Sequence, residues 1–192
     1  IEALAETDTV VLDKTGTITV GVPQVAKIYT ANNVEEKEML LLAASAEQHS
    51  VHPLAVAIHK YVKEHEWTVP QHKTSKTVVA RGMSATVPAF EDYQGGEVLV
   101  GSAKFMTESG VTGMDQFLLE DLTMGYIYVA CNGQLMGVIG IKDPIRPLMK
   151  KTLNQMRRYG VDEIVMLTGD SKAVAAKVAQ EMDIDSYHAE VL

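Results

Sequence analysis

Apolar residues in this chain follow two rhythms. Near the ends, short unbroken runs stop at polar turns: Val10-Val11-Leu12 before Asp13, and Ile164-Val165-Met166-Leu167 before Thr168-Gly169-Asp170. Runs this short predict buried strands rather than helices. Between them the rhythm shifts to short, partly alternating segments: VAKIYT (25–30), KTVVA (76–80), MSATV (83–87), EVLVG (97–101), YIYVAC (126–131) and QLMGVIGI (134–141). Each predicts a strand. Asn132-Gly133 separates the last two, and that dipeptide accepts the two positive φ angles of a tight hairpin turn.

Helical spacing accounts for the remaining apolar residues. Asn33, with Glu36 three residues on, predicts a capped helix start, with Met39, Leu40, Leu42 and Ala43 facing a core. Pro53 suits a first helical position, because its missing N–H had no intrahelical partner. His52 then falls at the N-cap, and Ala55, Val56, Ile58 and Val62 face inward. Ser102 predicts the cap of a short helix stopped by Gly110. Pro147 opens a helix reaching Gly160, with Arg157 and Arg158 in a last turn that favours cations. SKAVAAKVAQEM (171–182) predicts the final helix.

Both ends thus share one style of strand, polar turn and helix, while the middle consists of hairpins and two main helices. The expected fold class is α/β. A Rossmann-like domain built from residues 1–21 and 142–192 is interrupted after its first strand by an α+β domain over 22–141. The two helices of the insert should cover one face of an antiparallel sheet.

Composition narrows the possibilities. The 192 residues are 46% hydrophobic and 22% charged, as in folded globular chains. A net charge of −8 argues against nonspecific nucleic-acid binding. The one cysteine, Cys131, lies in an apolar run and is expected to be a buried, unreactive thiol. It rules out an internal disulfide and fits a reducing compartment. No apolar stretch approaches the length of about 18 residues that a membrane helix needs. The chain starts at Ile1 without an initiator Met or signal-like segment, which reads as a piece of something longer.

The candidate chemistry begins at Asp13. In open α/β sheets, ligands bind beyond the carboxyl ends of strands. A carboxylate there can hold Mg²⁺ or act as a nucleophile. The Thr and Gly residues that follow offer hydroxyls and N–H groups to phosphate oxygens.

DKTGTIT (13–19) resembles the phosphorylation motif of P-type ATPases, members of the haloacid dehalogenase-like superfamily. The resemblance implies that Asp13 attacks the γ-phosphate of ATP to form an aspartyl phosphate. It places Lys14 and Thr15 in the catalytic motif, with Mg²⁺ at Asp13 and Thr15. Related phosphatases carry a second aspartate where this chain has Thr15. Losing that general acid/base removes about 10²- to 10⁴-fold in rate, which suits a slowly decaying phosphoenzyme. MLTGD (166–170) matches a second motif. There Thr168 would bond the transferred phosphoryl group, Gly169 would allow close backbone approach, and Asp170 would follow. A strand-to-helix turn capped by Asp170 or Ser171 is compatible with that role.

KDPIRP (142–147) resembles the family's hinge segment. The resemblance implies that Arg146 steers nucleotide phosphates and that Asp143 holds the ribose or a hinge hydrogen bond; a plain loop ion pair is the alternative. Ser50-Val51-His52-Pro53 matches the Ser-x-His-Pro motif of heavy-metal-transporting (CPx) P-type ATPases, with Glu47 at the family spacing. By that likeness Glu47 reads the adenine amino edge and His52 contacts the base. Gly82 matches the first glycine of a Gly-x-Gly nucleotide turn, with Ser84 replacing the second. Gly101 matches a Gly-Asn segment whose asparagine is Ser102 here. His49, His59, His65, His72 and His188 match nothing.

The implied cofactors are ATP and Mg²⁺. The implied partners are ATP and the rest of a pump, its transmembrane and actuator domains, with a heavy-metal ion bound elsewhere. The implied location is the cytoplasmic face of a membrane, and no nucleic-acid partner is expected. A Gly-Asp-Gly-x-Asn-Asp motif that supplies a further Mg²⁺ ligand in the family does not occur in these 192 residues. Little or no turnover is therefore expected of the chain alone, together with a sheet edge open to a second copy. The other readings are a catalytically inactive nucleotide-binding module and a soluble haloacid dehalogenase-like phosphatase; Thr15 and the Glu47…His52-Pro53 pair count against the latter.

Overall fold

A computed structural model describes residues 7–78 and 82–191. In chain order the elements are β1 (Thr9–Asp13), β2 (Gln24–Thr30), α1 (Glu36–Ala46), α2 (Pro53–Glu64), β3 (Thr74–Val78), β4 (Gly82–Val87), β5 (Gly96–Gly101) and α3 (Ala103–Glu108). They continue with β6 (Gly125–Cys131), β7 (Gln134–Lys142), α4 (Met149–Arg158), β8 (Glu163–Leu167), α5 (Lys172–Met182) and β9 (Ser186–His188). The chain divides into two compact units, Ile1–Val22 with Asp143–Leu192, and Pro23–Lys142. The mixed α/β class expected from the sequence holds, with a parallel sheet in the first unit and an antiparallel sheet in the second.

The discontinuous unit carries three parallel strands in the order β1-β8-β9. Strands β1 and β8 pair from Thr9↔Glu163 to Asp13↔Leu167, so their carboxyl ends finish level. Ile164 and Met166 of β8 pack against Leu153 of α4 and Ala175, Val178 and Met182 of α5, with Leu12 beside them. Removing this apolar surface from water is the main stabilising term. The helix expected to open at Pro147 begins at Met149, after Ile145 and Arg146, which are still engaged with the turn after β1.

The inserted unit is a six-stranded antiparallel sheet, in the order β2-β7-β6-β5-β4-β3. Helices α1 and α2 cover one face over Val87, Val98, Val100, Val129 and Ile139. On the other face Phe105 and Met106 of α3 pack with Val111, Ala130 and Leu135. Asn132 and Gly133 take φ of 50° and 78°, the positive pair expected of the β6–β7 turn. Edge strand β3 carries exposed Lys76 and follows exposed Lys73, charges that discourage strand-to-strand association.

Four expectations need correction here. The first main helix starts at Glu36, not Asn33, because Asn33 adopts φ 63° and makes a turn instead of a cap. Its core face is wider than a stripe: every residue from Met39 to Ala46 is buried. On α2, Val56 is 46% exposed and Ala57 takes the inward position. Cys131 is half-buried, and burial pushes its thiol pKa up, which keeps it protonated and unreactive. The tail of the strand expected over 76–80 lies outside the described residues.

Candidate active site

The pairing of β1 with β8 brings two turns together. Asp13, exposed, ends β1 opposite Leu167, and Thr168 follows directly on the neighbouring strand. Thr168 is only 3% exposed, and its hydroxyl accepts from the N–H of Asp170 at 3.1 Å. The hydroxyl proton is thus left to point at an acceptor outside that bond. Lys14 is buried, and its ammonium meets the Asp170 carboxylate at 2.7 Å. The two turns are therefore cross-tied by a partly desolvated ion pair, whose geometry must be good to offset burial of the charges. Gly169 is exposed, and an added Cβ would lie 3.4 Å from the Val191 carbonyl. The amides of Val191 and Glu190 bond the carbonyls of Thr168 and Asp170, which pins this turn from its far side.

After Asp13 the backbone winds through Lys14–Ile18. Gly16 holds φ at 81°, a conformation that favours glycine, and a Cβ on Gly21 would sit 2.9 Å from the Gly16 Cα. Thr15 and Thr17 are exposed, whereas Thr19 is 1% exposed. Asp143 and Arg146 both reach this turn. The Asp143 carboxylate accepts from the Thr19 hydroxyl at 2.6 Å and from the Gly21 amide at 2.9 Å. Arg146 donates from Nε to the Thr17 carbonyl at 3.1 Å and from Nη2 to the Gly16 carbonyl at 2.8 Å. Both residues take their hydrogen-bond partners on the β1 turn, within the same unit.

The second group lies on the inserted unit, where α1 ends and α2 begins. Glu47, the C-cap of α1, has a half-buried side chain. Burial raises its carboxyl pKa, while the Ser50 hydroxyl and the rings of His52 and His59 pull it back down. His52 caps α2 as expected: its Nδ1 accepts from the Leu54 amide at 3.3 Å, so the neutral ring carries its proton on exposed Nε2. Ser50 links the pair, its amide donating to the Glu47 carbonyl at 2.9 Å and its hydroxyl accepting from the His52 amide at 3.3 Å. His59, which matched nothing, bonds the Glu47 carbonyl at 3.1 Å. A helical count could have found it, since it follows His52 by about two turns.

Gly82 pairs with Gly101 across β4 and β5. A Cβ on Gly82 would stand 2.2 Å from the Val100 carbonyl and 2.8 Å from the Phe105 ring, so packing alone requires glycine there. Ala85 and Val87 face the helices, so strand alternation turns the Ser84 side chain to the opposite face. Ser102 caps α3, its hydroxyl accepting from the Phe105 amide at 3.2 Å.

Asp13 and Thr15, both exposed where β1 runs into its turn, carry hard oxygen donors. That suits an Mg²⁺ ion, which retains waters and takes its other ligands from substrate phosphates. Among the described residues no group of three or more His, Cys, Asp or Glu side chains converges to hold a metal by itself.

Parallel strands ending level at an Asp and a Thr, with the turns that follow them tied by Lys14 and Asp170, define a class. The family model for haloacid dehalogenase-like hydrolases matches residues 7–192, and the chain belongs to that family. Within it, the similar proteins are metal-transporting pumps. The chain is 35% identical over its whole length to the copper-exporting P-type ATPase of Vibrio cholerae and to that of Staphylococcus aureus strain JH9, covering 20% and 23% of them. It is 34% identical to the manganese-exporting P-type ATPase of Mycobacterium bovis, again over the whole chain and 27% of the relative. The chain thus spans about a fifth to a quarter of the length of these curated relatives. Among solved structures, a zinc-transporting PIB-type ATPase in its E2.Pi state matches with a TM-score of 0.84 and 32% identity, covering 100% of this chain and 30% of that one. The catalytic domain of the CPx-ATPase CopB-B matches with a TM-score of 0.69 and 27% identity, over 99% of this chain and 65% of that one.

Proposed function

We propose that the chain is the ATP-binding and phosphorylation region of a heavy-metal-translocating P-type ATPase. Residues 1–21 and 142–192 would form the phosphorylation domain, and 22–141 the nucleotide-binding domain. The observation that carries this reading is the level ending of β1 and β8, with Asp13 beside Thr168 and Lys14 tied to Asp170.

In the reaction proposed, an oxygen of the Asp13 carboxylate attacks the γ-phosphorus of ATP. A new P–O bond forms, the bond to the bridging oxygen breaks, and ADP leaves with that oxygen. Mg²⁺, when bound, neutralises charge on the phosphate oxygens. Thr168 donates its hydroxyl proton to a phosphoryl oxygen, and the backbone at Gly169 allows the approach. Thr15 cannot act as a base at neutral pH, so the acyl phosphate is not rapidly hydrolysed from that position. On the inserted unit, the Glu47 carboxylate would accept from the adenine amino group of a bound nucleotide, and His52 would meet the base. Gly82 and Gly101 would border the base by the same likeness.

The remaining parts of such a pump, including its membrane helices and metal site, would be the partners of this chain, and the chain would work at the cytoplasmic face. Among the described residues no helix is long and apolar enough to cross a membrane. Asp13→Asn is the direct test, made in the complete pump this reading implies. Acid-stable labelling from γ-labelled ATP should vanish while nucleotide affinity stays within a few-fold. Persistent labelling or transport by the variant would refute the role of Asp13.

A further inference from the structure

The resemblance points Arg146 at nucleotide phosphates, but two of its guanidinium nitrogens already donate to the Asp13 turn. Nε and Nη2 lie in one plane and donate to two successive carbonyls, Thr17 at 3.1 Å and Gly16 at 2.8 Å. The Arg146 amide also donates to the Ile18 carbonyl at 3.0 Å. Three consecutive carbonyls of the turn after Asp13 are thereby held by one residue. A fork of this kind fixes direction as well as distance, because the guanidinium plane and the carbonyl lone pairs must align.

The same segment holds the turn at its far end. Asp143 accepts from the Thr19 hydroxyl and the Gly21 amide, Pro144 accepts from the Val20 amide at 2.9 Å, and Thr19 bridges Ile145. The Thr19 amide in turn donates to the Lys14 carbonyl at 2.9 Å, and the Thr19 hydroxyl accepts from the Gly16 amide at 3.3 Å. The bonds run from residue 143 to 146 on one side and from 16 to 21 on the other. They enclose the part of the loop whose shape sets where Lys14, Thr15 and Gly16 stand relative to Asp13. A turn with Gly16 at φ 81° has little local preference for one shape, so external bonds must select it.

We infer that Arg146 is a positioning residue for the Asp13 turn: it acts on the phosphoryl acceptor through the Gly16 and Thr17 carbonyls, and not on the nucleotide. The inference rests on the proposed phosphorylation of Asp13 for its functional consequence, but the clamp itself does not. An error of about 1 Å in the placement of reacting groups can cost on the order of 10²-fold in rate. Loss of the clamp should therefore appear in the chemical step and leave nucleotide affinity alone. Lysine is no substitute, since a flexible point charge cannot reproduce two coplanar donors.

The test uses Arg146→Lys and Arg146→Gln, read in three ways. On the 192-residue chain, hydrogen exchange at the Gly16, Thr19, Val20 and Gly21 amides should quicken at least tenfold in both variants. Binding of a non-hydrolysable ATP analogue to the same chain should stay within twofold. In the complete pump, labelling of Asp13 at saturating ATP should slow at least tenfold, with the half-saturating ATP concentration unchanged and no rescue by lysine. Unchanged exchange at those amides overturns the clamp. A tenfold weaker nucleotide affinity, or full labelling at saturating ATP despite faster exchange, overturns the positioning role. Glu47→Gln and His52→Ala separate the two readings. If neither weakens analogue binding, the nucleotide assignment fails, and the exchange result still decides the case for Arg146.

Discussion

The residue with the most to reveal about pH is Glu47. Its carboxyl sits half-buried, and desolvation lifts its pKa more than Ser50, His52 and His59 lower it. Only the carboxylate accepts from an amino group with both oxygens. The raised pKa means protonation begins at a higher pH than for an ordinary glutamate. ATP binding should therefore weaken as pH falls, starting above the usual glutamate range, and Glu47→Gln should flatten that dependence. Calorimetric titrations at a series of pH values between 7 and 4 check this; an identical profile for the variant would sink it. The sequence made Glu47 and His52 legible as candidates because the motif they match lies in residue type and spacing. Ser50 sat in view within the same motif, yet its bridging role appears only once α1 and α2 are placed. Arg146 was legible as a candidate and not as a clamp, since its partners are over a hundred residues away in the chain.

At the scale of elements, local chemistry predicted boundaries well wherever one residue had one use. Pro53 opens α2, Ser102 caps α3, and Asn132-Gly133 makes its turn. Asn33 had two uses, since asparagine both caps helices and tolerates left-handed backbone. The fold takes the second, and α1 starts three residues later. Burial on all sides of α1 was equally hidden, because MLLLAASA fits a helix face or a strand until the sheet is in place. The α3 cap offers a clean test. Ser102→Ala leaves the Phe105 amide without its partner and should cost about 1 kcal/mol. Since α3 anchors Phe105 and Met106 over the sheet, the loss should show in a lowered denaturation midpoint for the inserted unit. A midpoint equal to wild type would mean water caps the helix just as well.

At the scale of the molecule, each unit has its own apolar interior, one gathered on Leu153, Ile164 and Met166, the other on the two faces of the six-stranded sheet. The pairing of β1 with β8 has a consequence in time. A ribosome delivers Thr9–Asp13 early, but the partner strand emerges only with Glu163–Leu167. At roughly 5–20 residues per second, the first strand waits on the order of ten seconds or longer. During that wait Pro23–Lys142 has all of its own strands, since β2 and β7 bracket it and pair with each other. The insert should mature first on the nascent chain, and β1 should stay open until the polypeptide returns to it. Chains stalled once Lys142 has cleared the exit tunnel, but short of Glu163, should yield a protease-resistant core spanning 23–142 and a cleavable leader. Equal protection of both, or of neither, would contradict that order of birth.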